Sequence, residues 1–97
     1  MINGSYVYIL TNKPRGTLYT GVTADLIKRI YLHRSGMGSQ FAHKFALNTL
    51  VWFATFDDIE NAISHEKRVK RWRRAWKIEL IEERNPRWED LYLSLTI

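Results

Sequence analysis

Residues 5–22, SYVYILTNKPRGTLYTGV, predict a β-hairpin. Both ends of this stretch are rich in β-branched and aromatic residues, which favour strands, and the NKPRG segment between them carries turn residues. Alternation gives the first strand two largely apolar faces, formed by Tyr6, Tyr8 and Leu10 and by Val7 and Ile9. We therefore expect the sheet to be covered on at least one side.

A helix is predicted after the hairpin, from residue 24 to about residue 35, with Thr23 as its N-cap. Its apolar residues form one stripe, Leu26, Ile27, Ile30 and Tyr31. Residues 36–48, GMGSQFAHKFALN, combine glycine, serine and isolated aromatics, and they predict a surface loop. Residues 49–56, TLVWFATF, predict a third strand.

A second long helix is predicted to begin with a cap at Asp57, to run through the basic segment, with a bend before Trp76 left open, and to continue to residue 83. The pair Asn85–Pro86 ends it, because proline disfavours helical geometry in the residue before it. A last short helix is predicted to follow and to carry Trp88.

Composition limits the class of protein. A chain of 97 residues fits one domain, residues 1–97, and 45% hydrophobic with 26% charged residues exclude a disordered chain or a collagen. There is no cysteine, which excludes disulfides and cysteine-based zinc sites and suits a reducing compartment. No apolar stretch approaches the roughly 18 residues of a membrane span, so we expect a cytoplasmic protein that uses no membrane.

The net charge of +5 is concentrated in residues 65–77, HEKRVKRWRRAWK. This segment holds seven bases and one acid, a local balance of +6, whereas the rest of the chain holds eight bases and nine acids. The bases are Lys67, Lys70 and Lys77 with Arg68, Arg71, Arg73 and Arg74. A helix so poor in neighbouring acids repels itself and would be stabilised by phosphate oxygens, which favours a nucleic-acid partner.

Two stripes follow the same 4-3-4 spacing within this basic segment. The first, predicted to pack, contains His65, Val69, Trp72 and Trp76. The second, which is charged, contains Glu66, Lys70, Arg73 and Lys77. In one interpretation Glu66 supports Lys70 through an ordinary ion pair on a solvated face. In the other interpretation the bases meet phosphate groups.

The first helix carries a polar series at i, i+4 and i+8, formed by Asp25, Arg29 and His33. Either Asp25 and Arg29 form an ion pair, or Arg29 is an anion clamp, since a guanidinium binds phosphate bidentately. His33, His43 and His65 do not follow the spacing of paired zinc ligands.

The predicted hairpin places Tyr8 and Tyr19 on neighbouring strands, with Gly21 two residues after the second tyrosine. Two tyrosines in a hairpin are usually packing residues with a hydrated hydroxyl. Glycine inside a strand often marks the close approach of a ligand or of another backbone.

Taken together, Tyr6-Val7-Tyr8, Tyr19-Thr20-Gly21, Arg29 and Glu66 resemble the GIY-YIG nuclease superfamily in its compact, stand-alone bacterial form. The resemblance covers nearly the whole chain, through LYTGVTADLIKRIYLH and the more specific AISHEKRVKRWRRAWKIELIEERNPRWEDL. In the first signature Tyr6 stands where the family has glycine, and the middle residue of the second signature is Thr20. Neither position is expected to do chemistry.

The resemblance implies an α+β fold of order β-β-α-β-α-α, with helices flanking a three-stranded antiparallel sheet. It also implies that Glu66 holds one divalent ion, Mg²⁺ or Mn²⁺, and that Arg29 stabilises the pentacovalent phosphorane. Tyr8 would deprotonate the attacking water and Tyr19 would orient the water or the phosphate. A phenol has a pKa near 10, so this role requires nearby positive charge to lower the pKa of Tyr8.

Further residues have supporting roles in this interpretation. His33 would bind Tyr8 or transfer a proton, and Gly21, Lys44 and Asn85 would support the site. Because one carboxylate binds magnesium weakly, substrate phosphate is expected to complete the metal shell, while the basic residues contact the nucleic-acid backbone.

The sequence thus favours a metal-dependent endonuclease, a phosphodiester hydrolase that acts on DNA rather than RNA. The alternative is a nucleic-acid-binding module that keeps the fold without turnover, and a third, less supported interpretation is that the basic helix binds an acidic protein. Joint retention of Tyr8, Tyr19, Arg29 and Glu66 favours the nuclease, because binding alone requires no such combination.

Overall fold

The computed structural model describes residues 4–37 and 40–95, without the side chains of residues 41 and 42. It confirms an α+β fold with helices packed on a three-stranded antiparallel sheet. Within these ranges each helix is too short or too polar to cross a membrane. The elements are β1 (Ser5–Thr11), β2 (Leu18–Thr23), α1 (Leu26–Arg34), α2 (Gln40–Lys44), β3 (Thr49–Phe56), α3 (Ile59–Arg71), α4 (Arg74–Arg84) and α5 (Tyr92–Leu95).

The strand β1 is the centre of the sheet, with β2 on one side and β3 on the other. The predicted hairpin and third strand are confirmed. In the antiparallel register, Tyr8 lies opposite Gly21 of β2 and opposite Phe53 of β3. This register places Tyr19 and Gly21 of β2 on the same face as Tyr8, because side chains alternate along a strand.

The sheet is covered on both faces, by α3 and α4 on one and by α1 on the other. One core cluster contains Val7, Ile9, Val69 and Ile81. The other core cluster contains Tyr8, Leu10, Leu26 and Ile30. Both apolar faces of β1 are therefore used for packing, which makes the hairpin the common support of the two layers of helices.

The N-cap of α1 is Asp25, and the prediction of Thr23 is wrong. The carboxylate of Asp25 accepts a hydrogen bond from the backbone N–H of Lys28. Thr23 still belongs to β2, and its hydroxyl oxygen accepts from the N–H of Asp25. Thr23 thus stabilises the turn before the helix, and the cap falls two residues later.

The buried face of α1 also differs from the predicted stripe. Leu26, Ile30 and His33 are buried, whereas Ile27 and Tyr31 are 44% and 59% exposed. The buried residues follow 4-3 spacing, which makes a narrow line along the helix. His33 therefore belongs to the packed face of α1 rather than to an exposed polar series.

The segment predicted as a loop contains the five-residue helix α2. Residues 38 and 39 of that segment lie outside the described residues. Periodicity overlooks such an element, because five residues hardly exceed one turn. The segment ends with Leu47, whose side chain is fully buried.

The second long helix begins at a different cap and is divided in two. Its N-cap is Asp58 rather than Asp57, and the Asp58 carboxylate accepts hydrogen bonds from the backbone and the side-chain amide of Asn61. Trp72 and Arg73 then adopt extended backbone with ψ near 150°, so α3 ends and α4 begins. The bend left open before Trp76 is therefore a complete break, and it falls at Trp72 and Arg73.

This break changes which aromatic residues pack. Trp72 contacts the core cluster that contains Val69 and Ile81, whereas Trp76, on α4, is 49% exposed. Periodicity within one helix placed both tryptophans in the packing stripe. The interruption at Trp72 shifts the phase, so the prediction is wrong for Trp76.

The end of α4 confirms the predicted stop at Asn85. Trp88, however, lies in a turn with a left-handed φ of 56° and not in a helix. Its indole is buried, and the indole N–H donates to the Glu82 carboxylate. The final short helix is α5, four residues further along.

The turn of the hairpin is attached to α4 through charged side chains. The Arg15 guanidinium donates two hydrogen bonds of 2.9 Å to the Glu82 carboxylate, and the Arg74 guanidinium donates to the backbone carbonyls of Arg15 and Gly16. The pairs are exposed, so their contribution to stability is small. They orient α4 relative to the hairpin.

Asn85 supports a bulge in β3. Ile9 pairs with Trp52 and Leu10 with Leu50, which leaves Val51 without a partner residue on β1. The Asn85 amide donates to the Val51 carbonyl at 3.0 Å and to the Glu89 carbonyl at 2.9 Å. Asn85 therefore joins the bulge to the chain that follows α4.

We predict that Asn85→Ala destabilises the folded protein by about 1–3 kcal/mol, because a buried carbonyl then loses its donor. Urea unfolding followed by circular dichroism measures the change. Arg87→Ala, at an exposed position two residues away, is the control and should change the free energy of unfolding by less than about 0.5 kcal/mol. Equal stability of the two variants would contradict this role for Asn85.

Candidate active site

Three rings from three elements meet on the face of the sheet that α1 covers. The ring centroids of Tyr8 and Tyr19 are 6.4 Å apart, those of Tyr8 and His33 6.0 Å, and those of Tyr19 and His33 5.6 Å. The Tyr8 hydroxyl lies 3.1 Å from Nε2 of His33. Two predicted catalytic tyrosines and the predicted supporting histidine thus form one cluster, which we call the Tyr–His cluster.

Gly21 creates the space for this cluster. An ideal Cβ at residue 21 would lie 2.5 Å from Cζ of Tyr8 and would also overlap the hydroxyl. Real Cβ atoms do not come this close to another heavy atom, so any side chain would displace the phenol. The close approach that the strand glycine indicated therefore exists, and the approaching group is the Tyr8 side chain.

Burial controls the protonation of Tyr8. Tyr8 is fully buried, and this desolvation raises its pKa to about 12, with a further rise from Tyr19. The charge of Arg29 acts in the opposite direction but does not offset burial. The expectation that positive charge lowers the pKa of Tyr8 is therefore wrong for the metal-free protein.

His33 is the hydrogen-bond partner of the Tyr8 hydroxyl. Burial lowers the pKa of His33 below its ordinary value of 6.5, and the charge of Arg29 lowers it further. The lowered pKa favours the neutral imidazole, and its tautomer sets whether Nε2 accepts from the Tyr8 hydroxyl or donates to it. Within the described part of the chain, Nδ1 of His33 is buried and has no hydrogen-bond partner.

Arg29 lies at the accessible rim of the Tyr–His cluster. Its side chain is exposed, and it lines a shallow cavity with Thr23, Asp25 and Lys28. Asp25 caps α1, and the ion pairs found between described residues do not include one between Asp25 and Arg29. This arrangement favours the anion clamp over the ion pair.

Glu66 is a buried carboxylate on α3, with a residue exposure of 6%. Its oxygen lies 2.6 Å from Nζ of Lys70, so the ordinary i,i+4 pair is present. Its negative charge also contributes to the raised pKa of Tyr8. The charges of Glu66 and Arg29 thus change the pKa of Tyr8 in opposite directions.

Glu66 fits a weakly held divalent ion. Among the described residues, no group of three His, Cys, Asp or Glu side chains is arranged to hold a metal. A single carboxylate oxygen that is largely shielded from water is a hard ligand, and Mg²⁺ commonly uses one or two carboxylates with water and phosphate.

The basic residues do not form one continuous stripe. Lys67, Lys70 and Arg71 are exposed on α3. Arg74 contacts the hairpin turn instead. Lys77 is half-buried, and its ammonium donates to the Lys70 carbonyl at 3.3 Å. Its pKa is lowered by burial and then by neighbouring positive charges.

Arg73 and Trp76 form a pair that the sequence analysis missed. The Arg73 guanidinium lies 4.9 Å from the centroid of the Trp76 ring, at cation–π distance. Their i,i+3 spacing was a signal for this contact. The contact was not predicted, because the 4-3-4 spacing through the basic segment assigned Trp76 to the packing stripe.

Two predicted supporting residues lie in other environments. The Lys44 side chain is exposed, and its ammonium lies 5.6 Å from the centroid of the Phe45 ring. Asn85 is buried, and its amide nitrogen and oxygen both bind backbone groups of the bulge and the turn after α4. The described contacts connect neither residue to the Tyr–His cluster.

Comparison with known proteins agrees with this geometry. The model of the GIY-YIG catalytic domain matches residues 4–79. A UPF0213 protein of Clostridium perfringens is 36% identical over 86 residues, which cover 89% of this chain and 91% of the relative. One of Pediococcus pentosaceus is 34% identical over 83 residues, 86% of each chain. A solution NMR structure of a UPF0213 protein from Bacillus halodurans has a TM-score of 0.56 and 33% identity, over 90% of this chain and 92% of that one.

We predict that Gly21→Ala destabilises the protein by about 1–3 kcal/mol, because the new methyl group displaces the Tyr8 ring. A double-mutant cycle with Tyr8→Leu, measured by urea unfolding, tests the reason. The cost of Gly21→Ala should fall by at least about 1 kcal/mol in the Leu background. An identical cost in both backgrounds would show that Tyr8 is not the obstructing group.

We also predict an acid-dependent loss of stability from His33. Its pKa in the folded state lies below the ordinary 6.5, so the unfolded chain binds more protons between these two values. Stability should therefore fall as the pH decreases through this window and level off below the folded-state pKa. NMR titration of the His33 ring gives that pKa directly, and Arg29→Ala should raise it.

The matched stability test compares the wild type with His33→Gln between about pH 7.5 and about pH 5. The wild type should lose more stability over this range. His65, whose pKa is also lowered by burial and Arg68, remains in both proteins and cancels in the difference. A His33 midpoint at or above 6.5 would contradict the prediction.

Proposed function

Because the chain belongs to the GIY-YIG family of nucleases, we propose that it is a metal-dependent endonuclease that hydrolyses phosphodiester bonds in DNA. The proposal favours DNA over RNA and Mg²⁺ or Mn²⁺ as the ion. It places the activity in the cytoplasm, in keeping with a chain that contains no cysteine.

The observation that carries this proposal is the convergence of acid–base, cationic and carboxylate groups on one hydroxyl. The Tyr8 phenol contacts His33, and the charges of Arg29 and Glu66 both act on it. A protein that only bound nucleic acid would need Arg29 for phosphate contact but would not need a phenol, an imidazole and a buried carboxylate beside it.

Glu66 would be the protein ligand of the divalent ion. The bound ion would supply positive charge for the scissile phosphate and make a coordinated water more acidic. Since Glu66 is one ligand, the shell would depend on substrate phosphate and on water, which makes binding in the absence of nucleic acid weak.

Tyr8 and His33 would together accept the proton of the attacking water. With a pKa of about 12, the phenol carries its proton at neutral pH and cannot start as a base. It can release that proton to Nε2 of neutral His33, 3.1 Å away, as its oxygen receives the proton of the water. The pair would thus perform the reaction that the phenol alone cannot.

Arg29 and Tyr19 would act on the phosphate side. Arg29 is exposed at the rim, where its planar guanidinium can bind two phosphate oxygens and stabilise the charge that develops in the phosphorane. Tyr19 is half-buried, and its ring centroid lies 6.4 Å from that of Tyr8. It would orient the water or the phosphate.

The exposed bases of α3 would contact the nucleic-acid backbone. Lys67 follows Glu66 and Arg71 follows Lys70 along that helix, and Arg73 and Lys77 continue the positive charge into α4. Arg74 was predicted to contact nucleic acid, but its contacts with the hairpin turn make its contribution secondary. Phosphate contacts of this kind position a protein without reading base sequence.

The test is a Mg²⁺-dependent nicking assay on supercoiled, branched and single-stranded DNA. We expect Glu66→Ala and Arg29→Ala each to slow cleavage at least about a hundredfold, because each removes charge stabilisation at the reacting phosphate. Tyr8→Phe and His33→Gln should also slow it, by similar factors, because they interrupt the same proton path.

The controls are Glu83→Ala and Arg87→Ala, which remove exposed charges of the same signs elsewhere in the chain. Both should cleave at the wild-type rate. Equal cleavage by the wild type and the four site variants would mean that the site is wrong. If the wild type binds DNA with a steep salt dependence and never cuts it, the chain is a binding module.

A further inference from the structure

The Glu66 carboxylate already has a cation beside it. Nζ of Lys70 lies 2.6 Å from its oxygen, and the two side chains differ sharply in exposure, 9% for Glu66 and 54% for Lys70. A buried carboxylate is costly to leave without a partner, so Lys70 provides its counter-charge in the metal-free protein. A divalent ion held by Glu66 would bind one of the two carboxylate oxygens, and Lys70 already contacts one of them.

We propose that Lys70 couples ion binding to nucleic-acid binding, by occupying Glu66 until a phosphate group of the substrate attracts the ammonium away. This inference rests on the proposed function, since it assigns Glu66 to the ion. It makes Lys70 a positioning residue. Lys70 affects the order in which the ion and the nucleic acid bind, and it does not take part in the chemical step.

The surroundings of Lys70 favour this exchange. Positive charges lie on either side of it, and its own charge contributes to the lowered pKa of Lys77. Because its neighbours are positively charged, the Lys70 ammonium is stabilised by a nearby anion. The folded protein supplies Glu66 as that anion. A phosphate group of the nucleic-acid backbone is a second anion, which only substrate brings.

The exposure of Lys70 makes the movement inexpensive. Its side chain has several rotatable bonds and is more than half exposed, so the ammonium can leave Glu66 without disturbing the core. Glu66, in contrast, is held on the buried side of α3 beside Ala62 and Val69. The carboxylate stays in place while one cation replaces another.

Two consequences distinguish this arrangement from an ordinary helical ion pair. In the absence of nucleic acid, Lys70 competes with the divalent ion and weakens its binding. With nucleic acid bound, the competition is relieved, so ion and nucleic acid strengthen each other's binding by the same factor. An ion pair that served stability alone would produce neither effect.

The experiment measures Mn²⁺ binding to the full chain at pH 8 by water-proton relaxation, with and without a phosphorothioate DNA duplex that resists cleavage. Without DNA, Lys70→Met should bind Mn²⁺ about fivefold more tightly than the wild type. The duplex should strengthen Mn²⁺ binding by the wild type and should strengthen it much less in Lys70→Met. Lys13→Met removes an equal charge from the exposed hairpin turn, outside the proposed site, and should leave both wild-type values unchanged.

Each other result counts against the proposal. Equal Mn²⁺ affinity of the wild type and Lys70→Met would overturn it, and so would equal tightening in Lys13→Met, which would indicate general charge repulsion. If the wild type still cleaves DNA when either of these binding results is found, the proposed function is retained and only the role of Lys70 is rejected. If Glu66→Gln binds Mn²⁺ as well as the other proteins do, the assignment of Glu66 to the ion fails, and this inference fails with it.

Discussion

The hydrogen bond between the buried Tyr8 hydroxyl and His33 is the interaction on which the rest of the site depends. A phenol inside the protein requires a partner for its polar end, and Nε2 of His33 provides it. This contact joins the central strand to the last turn of α1. It also explains why Gly21 lies opposite Tyr8, because any side chain there would occupy the volume of the phenol.

The burial of Tyr8 and His33 also determines how the two side chains are protonated in the metal-free protein. Desolvation holds the proton on Tyr8 and lowers the pKa of His33, which favours two uncharged rings in the cluster. Arg29 is exposed and Tyr19 is half-buried. Under the proposed function, Tyr8 and His33 would serve as a buried proton relay and Arg29 as an accessible anion clamp.

The charged residues of α3 and α4 divide into two groups with different physical roles. Arg74 connects the hairpin turn to α4, whereas Lys70 neutralises a buried carboxylate. Their sequence neighbours on α3 remain exposed. The extended backbone at Trp72 and Arg73 separates the two halves of the basic segment into different helices. Net charge alone therefore overstates how many bases are available to a nucleic acid.

The sequence by itself determined the hairpin, the third strand and the stop at Asn85, because alternation and turn residues act over a few neighbouring positions. It also singled out Tyr8, Tyr19, Arg29 and Glu66. It placed the helix caps one or two residues early, missed α2 and left open only a bend where α3 ends, since caps and short helices depend on local contacts that periodicity does not record. The pairing of Glu66 with Lys70 follows from i,i+4 spacing, but only the tertiary structure decided that His33 and Glu66 are buried and that the pKa of Tyr8 is raised. Desolvation depends on which elements pack together, and that information is absent from any single segment of the chain.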